Sequence, residues 1–260
     1  MSHSFSRNVL PLFVCLLLFA GCQDDKASLD GVASPDEVIP FDPNQDLLAH
    51  YPFDEGAGEI ARDVSGNEYH GTLMNVDPAV SPWVSEGKIG GAIKCYPAYV
   101  DLPDLSLETF TISAWWSTTS SGRNTIIGWG DGSGDYIQIR DNWRYKTRFG
   151  GWTGVNGLID YESDGTYYHV VMTRDENLNV LIYHNGVLAG DSETPSWGPE
   201  GWFKPPFNFN VSCIGRVDST WNLYNGNIDD VRIYERALSP EEVRELYQLG
   251  NESTEVAEEF

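Results

Sequence analysis

Short apolar segments separated by turn residues fill most of this chain, and they constrain its fold more than any other feature. From Leu47 onward these segments are rich in β-branched and aromatic residues, and Gly, Pro, Asn and Asp stand between them. Such a pattern predicts strands joined by tight turns, and the fold class is therefore all-β. The predicted strands are 48–53, 92–95, 99–102, 110–117, 124–129, 136–140, 144–149, 167–174, 179–184, 212–216 and 226–234.

A short helix is predicted after the last strand. Ser239 precedes Pro240 at the first helical position, and Glu242 follows three residues after Ser239, as in a capping box. Gly250 is predicted to end the helix, and residues 251–260 form an acidic tail.

Several motifs occur in a fixed order over residues 47–249, and together they resemble the laminin-G-like domain of bacterial surface proteins, in the concanavalin A-like lectin family. They are Tyr51-Pro52-Phe53-Asp54-Glu55-Gly56-Ala57-Gly58, Asp63-Val64-Ser65-Gly66-Asn67, His70-Gly71-Thr72-Leu73, Gly90-Gly91-Ala92-Ile93, Phe110-Thr111-Ile112-Ser113-Ala114-Trp115, Tyr168-His169-Val170-Val171, Asn185-Gly186-Val187-Leu188 and Gly226-Asn227-Ile228-Asp229-Asp230-Val231-Arg232-Ile233-Tyr234.

The resemblance implies a two-sheet jelly-roll sandwich with Greek-key connections. It implies no single activity, because relatives include lectins, carbohydrate-binding modules, adhesion modules and a few polysaccharide-degrading enzymes. The chain departs from the family pattern at Tyr96-Pro97, where Asp-Gly is common, and at His184, where Asp is frequent. Function therefore has to be inferred from the site.

The N-terminal residues resemble those of a bacterial lipoprotein. The apolar run from Val9 to Ala20 has the length of a signal-peptide core, and it leads into Gly21-Cys22, like a lipobox. We expect residues 1–21 to be a signal peptide, 22–46 to be the lipidated Cys22 with a flexible tether, and 47–250 to be the folded domain. Lipid would anchor the protein at the bacterial cell envelope, on the outer membrane or the cell surface.

Two cysteines, Cys95 and Cys213, stay in the domain after removal of the signal peptide, since Cys22 carries lipid. In an oxidising compartment such a pair predicts one disulfide. The alternative is a pair of buried thiols.

The sequence argues against two classes of function. A net charge of -23 repels phosphate backbones, so nucleic acid is not an expected partner. The Glu-x-Asp-x-x-Glu pattern of glycoside hydrolases with this architecture does not occur, and neither does Gly-x-Ser-x-Gly. Because His70, His169 and His184 lie in family motifs or beside a turn, we interpret them as structural and expect no catalytic residues.

Two neighbouring predicted strands, 136–140 and 144–149, concentrate basic residues in this acidic protein. A three-residue loop between them would pair Arg140 with Arg144 and keep an apolar face intact. Arginine binds uronate or sulfate groups, and tryptophan stacks on sugar rings. The alternative is a solvated outer strand whose cations balance nearby acids. The candidate ligand-binding residues are Tyr136, Gln138, Arg140, Trp143, Arg144, Lys146 and Arg148.

A second candidate is the connection from Ser192 to Asn210, which is long for a compact domain and rich in aromatic residues and proline. Trp197 and Trp202 are its predicted ligand-binding residues, because proline restricts the backbone and preorganises an aromatic platform. The alternative is a loop that caps the edge of the sandwich.

The family resemblance further implies a structural calcium ion beside the first and last strands. The matching acidic residues are Asp54, Asp63 and Asp229, with backbone carbonyls of the 56–58 loop as further oxygen ligands. Acidic turns without metal are the alternative.

Together these features predict a non-catalytic, membrane-anchored, lectin-like protein that binds a polysaccharide, with an anionic glycan as the expected ligand. Two alternatives stay open. One is an adhesion or structural module with protein partners in a surface complex, and the other is a polysaccharide lyase.

Replacement of the lipidated cysteine tests the proposed anchor. Cys22→Ala should release the protein from the membrane fraction or block its processing, because a lipobox without cysteine cannot accept lipid. Detergent partitioning measures the effect. An unchanged distribution of the Cys22→Ala protein would contradict the lipobox interpretation.

Overall fold

The computed structural model describes residues 40–255 except 121–124, 131–135, 141–143, 147–155, 159–160, 178, 192–206, 210 and 217–223. The compact unit begins at Phe41, earlier than the predicted Leu47. Phe41 packs on a buried cluster that contains Tyr234, and the Tyr234 hydroxyl donates to the Pro43 carbonyl at 2.9 Å. Within the described residues, no helix has the length and apolar character needed to span a bilayer.

The elements follow one another along the chain with short connections. They are β1 (Leu47–Tyr51), β2 (Ile60–Ala61), β3 (Gly71–Met74), β4 (Trp83–Val84), β5 (Ala92–Cys95), β6 (Tyr99–Leu102), β7 (Leu105–Leu107), β8 (Phe110–Ser117), β9 (Thr125–Gly130), β10 (Tyr136–Arg140), β11 (Arg144–Lys146), β12 (Asn156–Leu158), β13 (Tyr168–Arg174), β14 (Val180–His184), β15 (Val187–Asp191), β16 (Phe207–Phe209), β17 (Val211–Ile214), β18 (Gly226–Tyr234) and α1 (Pro240–Glu255).

Most strands belong to two sheets. The larger sheet has the order β15-β14-β13-β8-β18-β5-β4, with β1 also paired to β18, and the smaller has the order β10-β9-β17-β6-β3-β2. Two further pairs, β11 with β12 and β16 with β7, lie outside them. The predicted all-β, two-sheet jelly-roll sandwich with a C-terminal helix is confirmed.

Strand β8 lies at the centre of the larger sheet and is buried along its whole length. Ile112 and Trp116 belong to the core between the two sheets. On the other face of the strand, the Trp115 ring stacks on Tyr247 of α1, with 5.6 Å between ring centroids. Both faces of β8 are covered, so Thr111, Ser113 and Ser117, which alternate with its core residues, are buried as well.

Helix α1 begins with the predicted capping box. Ser239 N–H donates to Glu242 Oε2 at 2.7 Å, and Glu242 N–H donates to Ser239 Oγ at 3.2 Å. Val243 and Leu246 are buried in a cluster with Tyr234 of β18. The helix therefore covers the outer face of the larger sheet.

Gly250 does not end the helix, contrary to the prediction, because α1 continues to Glu255. A Cβ atom at Gly250 would lie 2.5 Å from the Trp115 ring. Close packing on β8, rather than a left-handed C-terminal cap, therefore accounts for the glycine.

Candidate functional site

The two outer faces of the sandwich differ in exposure. Helix α1 covers the outer face of the larger sheet with buried residues such as Leu246. On the smaller sheet, Val100 points into the core, whereas Thr72, Met74 and Asp101 are exposed. We call this exposed outer face of the smaller sheet the open face.

A row of register partners crosses the smaller sheet from one edge to the other. Ile60, Thr72 and Asp101 of this row are exposed, whereas Gly128 on β9 is buried, so the exposed part of the row lies on β2, β3 and β6. The row runs through Ile60, Thr72, Asp101, Cys213, Gly128 and Gln138.

Tyr99 and Arg216 form a cation–π pair on the open face. The Arg216 guanidinium lies over the Tyr99 ring, 4.4 Å from its centroid. Tyr99 pairs in register with the exposed Met74, so it belongs to the same face, and both members of the pair are partly exposed. The guanidinium covers one face of the Tyr99 ring, so the pair holds planar hydrogen-bond donors directly against an aromatic group.

Gly215 brings Arg216 into this position. It has a φ of 85°, and a Cβ there would lie 2.5 Å from Cys95 Sγ. Only glycine allows this conformation and this close approach without strain. Local sequence patterns do not reveal the pair, because Tyr99 and Arg216 are far apart in the chain.

Three predicted ligand residues, Tyr136, Gln138 and Arg140, lie on β10, at the edge of the smaller sheet. Ile139 pairs in register with Ile127, which is fully buried.

The predicted pairing of Arg140 with Arg144 is wrong. Arg144 and Lys146 lie on β11, which pairs with β12, so that Arg144 lies opposite Leu158. β11 approaches β10 and β12 approaches β15, so this ribbon bridges the edges of the two sheets. The sequence could not reveal β12, because three residues are too few for a periodic signal. Trp143, Arg148, Trp197 and Trp202 lie outside the described residues.

The described histidines that were predicted to be structural have structural contacts. His169 is fully buried, its Nε2 is 2.8 Å from Ser113 Oγ, and burial lowers its pKa to about 3. His70 Nδ1 accepts a hydrogen bond from Asp63 N–H at 3.1 Å, and the ring of His184 stacks on Tyr168 at 5.5 Å. None of these arrangements resembles a general base aimed at a substrate.

Asp63, one of the predicted calcium ligands, organises its own loop. Its Oδ1 accepts hydrogen bonds from the backbone amides of His50 and Ser65, both at 2.9 Å, and its Oδ2 accepts one from the amide of Tyr69 at 3.0 Å. Burial alone would raise the pKa of Asp63, but these amide donors hold it below its usual value.

Asp54 and Asp229, the other two predicted ligands, hold the 87–91 loop from two sides. Asp54 Oδ1 accepts from the Gly91 amide at 2.6 Å, and Asp229 Oδ2 accepts from the amides of Lys88 and Ile89 at 2.7 and 2.8 Å. Both carboxylates therefore serve as acceptors for backbone amides.

The three predicted calcium ligands are held by separate sets of backbone amides. In the part of the chain that the structure describes, no three His, Cys, Asp or Glu side chains converge to hold a metal ion. Asp229 is fully buried, burial raises its pKa to about 8, and its Oδ1 has no partner among the described residues. Calcium binding at Asp54, Asp63 and Asp229 stays a prediction.

Asp230, next to Asp229, turns towards β1 because β18 has a bulge at this point. Its φ is 43°, and the register with β8 shifts between Asp229 and Arg232. Its carboxylate lies 2.6 Å from His50 Nε2 and 3.0 Å from Arg232 Nε. Burial opposes ionisation, but the contacts with His50 and Arg232 lower the pKa of Asp230 to about 2.

Cys95 is a free, fully buried thiol, and burial raises its pKa to about 12. The alternative of a buried thiol therefore holds for Cys95, and the disulfide is not formed. Cys213 lies on β17 of the smaller sheet, opposite Asp101 in the register, whereas Cys95 lies on β5 of the larger sheet.

The sequence matches the model of a family described as the concanavalin A-like lectin/glucanases superfamily over residues 96–244. No curated protein matches it. Similarity to solved structures that share less than 25% sequence identity with this chain shows the fold alone.

Three solved structures show this similarity. Domain 4 of AbnA, a GH43 extracellular arabinanase from Geobacillus stearothermophilus in complex with arabinotriose, has a TM-score of 0.60 and 23% identity over 77% of this chain and 98% of that chain. Trypanosoma rangeli sialidase has a TM-score of 0.58 and 19% identity over 79% of this chain and 33% of that chain. The receptor-binding domain of botulinum neurotoxin type G has a TM-score of 0.56 and 19% identity over 78% of this chain and 51% of that chain.

Removal of divalent cations tests the interpretation of the acidic residues. Because backbone amides donate hydrogen bonds to the carboxylates of Asp54, Asp63 and Asp229, these loops have internal partners without metal. We therefore expect the same melting temperature in EDTA and in excess calcium. Asp63→Ala should lower it equally in both buffers, since amides left without acceptors cost about 1–3 kcal/mol each. Glu252→Ala on the exposed part of α1 is the control. A wild-type melting temperature that falls in EDTA, together with an Asp63→Ala protein that is insensitive to EDTA, would instead indicate a bound calcium ion.

Proposed function

Since the family model covers more than half of the chain, the protein belongs to the concanavalin A-like lectin/glucanases superfamily, and we propose that it is a non-catalytic, membrane-anchored protein that binds an anionic glycan on its open face. The superfamily fold and the similarity to a domain solved with arabinotriose support a carbohydrate ligand. The lipobox-like residues before Cys22 support the membrane anchor.

The Arg216–Tyr99 pair is the observation that carries this proposal. A sugar ring places its C–H groups against an aromatic face, and a guanidinium donates hydrogen bonds to its oxygen atoms. The pair supplies both contacts within 4.4 Å. It lies on the outer face that α1 leaves uncovered.

Local positive charge supports an acidic ligand. Arg216 lies on the open face, Arg140 lies on its edge strand β10, and Arg144 and Lys146 lie on the bridging ribbon beside β10. The protein as a whole has a net charge of -23, so these basic residues form a local exception. They would attract the carboxylate or sulfate groups of a glycan to this part of the surface.

The contacts of three aspartates, like those of the histidines, support a role without catalysis. Glycoside hydrolysis needs two carboxyl groups that flank the scissile bond. Asp63, Asp229 and Asp230 instead hold backbone amides or pair with His50 and Arg232. These three aspartates are thus engaged in the fold, which supports glycan capture, rather than glycan cleavage, as the role of this domain.

Substitution of Arg216 tests the proposed ligand site. Arg216→Ala should weaken binding to polygalacturonate or alginate by roughly ten-fold or more, because a charge-assisted hydrogen bond contributes about 1.5–3 kcal/mol. Calorimetry at low and high salt measures the loss, and binding by the wild type should weaken as salt rises. Arg244→Ala on the exposed side of α1 is the matched control.

Three results would contradict the proposal. They are equal affinities of the Arg216→Ala and Arg244→Ala proteins, an absence of wild-type binding to any acidic polysaccharide, and release of unsaturated uronate products, which would indicate a lyase.

A further inference from the structure

A cleft lies at one end of the row that crosses the smaller sheet. It occupies about 460 Å³ in the connection between β1 and β2. Ile60 belongs both to the cleft wall and to the row, through its register partner Thr72. The cleft has the size of a typical small-ligand pocket. Its lining residues include Asp54, Glu55, Ala57, Glu59, Ile60 and Arg62.

Hydrogen bonds to neighbouring segments hold the rim of the cleft in place. Trp83 Nε1–H donates to the Gly58 carbonyl at 2.9 Å. Leu73 N–H donates to the Glu59 carbonyl at 2.7 Å. These hydrogen bonds fix the loop to β4 and β3, so ligand binding would cost little conformational entropy in the loop.

The cleft combines hydrogen-bonding groups with apolar walls. Asp54 and Glu59 supply acceptors, and Arg62 supplies donors. Ile60 is 43% exposed and offers an apolar surface. Hydroxyl groups that donate to carboxylates, together with C–H groups that pack on aliphatic side chains, are the complement of such a lining.

Two observations narrow the class of ligand. The three acidic lining residues outnumber Arg62, so the cleft repels carboxylate and sulfate groups. In the described part of the chain, no cluster of side chains converges on a metal ion. One oxygen of Glu55 accepts from the Arg62 amide at 2.5 Å, while the other is buried without a partner among the described residues.

We propose that this cleft is a second carbohydrate-binding site and that it takes an uncharged sugar residue. The proposal goes beyond the acidic-glycan site at Arg216 and does not depend on it. Because Ile60 belongs to both the cleft and the row, one polysaccharide that carries acidic and neutral residues can occupy the two sites together.

A variant that fills the cleft tests the proposal. Ala57 is an exposed lining residue, so Ala57→Trp should block the cleft without disturbing the core. The probes are an array of neutral oligosaccharides that includes arabinotriose, and trigalacturonate. We expect the wild type to bind at least one neutral oligosaccharide, with affinity reduced ten-fold or more by Ala57→Trp and trigalacturonate binding unchanged.

Matched variants separate the two sites. Val187→Trp, at a position that is 69% exposed on β15, should leave neutral binding unchanged, and Arg216→Ala should reduce only trigalacturonate binding. Glu59→Gln should weaken neutral binding less than Ala57→Trp, because the amide keeps one acceptor oxygen. An absence of neutral ligands for the wild type, or equal neutral binding by Ala57→Trp and Val187→Trp, would overturn the proposal. Loss of trigalacturonate binding alone would contradict only the Arg216 site.

Discussion

Burial of β8 on both of its faces is the constraint on which the rest of the structure depends. One face joins the core between the sheets through residues such as Trp116, and the other meets α1 through Trp115 and Tyr247. A central strand covered in this way fixes its neighbours β13 and β18, and it assigns one outer face of the sandwich to packing. Helix α1 packs on the larger sheet and leaves the outer face of the smaller sheet uncovered.

Carboxylates near the edges of the sandwich act as local clamps. The Asp63 carboxylate accepts hydrogen bonds from three backbone amides, and the carboxylates of Asp229 and Asp54 accept them from amides of the 87–91 loop. A carboxylate that accepts several amide hydrogen bonds replaces the backbone pairing that a loop lacks. These hydrogen bonds give the three aspartates a structural role in this chain.

The sequence predicted those elements that carry their own local signal. The bounds of β5, β6, β8, β10 and β18 agree with the predictions, and so does the capping box at Ser239. Strands of two or three residues, such as β2, β4 and β12, were missed because they are too short to show alternation. Gly250 was misassigned because a glycine that ends a helix and one that packs against a ring look the same in a sequence.

The candidate site was less predictable than the fold. Tyr136 and Gln138 were assigned to one face from local alternation, and both lie on β10. The pair of Tyr99 and Arg216 depends on the pairing of β6 with β17, which joins distant parts of the chain. The wrong pairing of Arg140 with Arg144 arose for the same reason, since β12 offered a partner that local patterns did not reveal.

The central proposal is that the open face, rather than the face covered by α1, binds the glycan. Backbone amide hydrogen exchange with and without saturating oligogalacturonate measures this directly. We expect slower exchange in Gly71–Met74 and Tyr99–Leu102 and no change in Pro240–Glu255. Slower exchange confined to α1 and the larger sheet would contradict it.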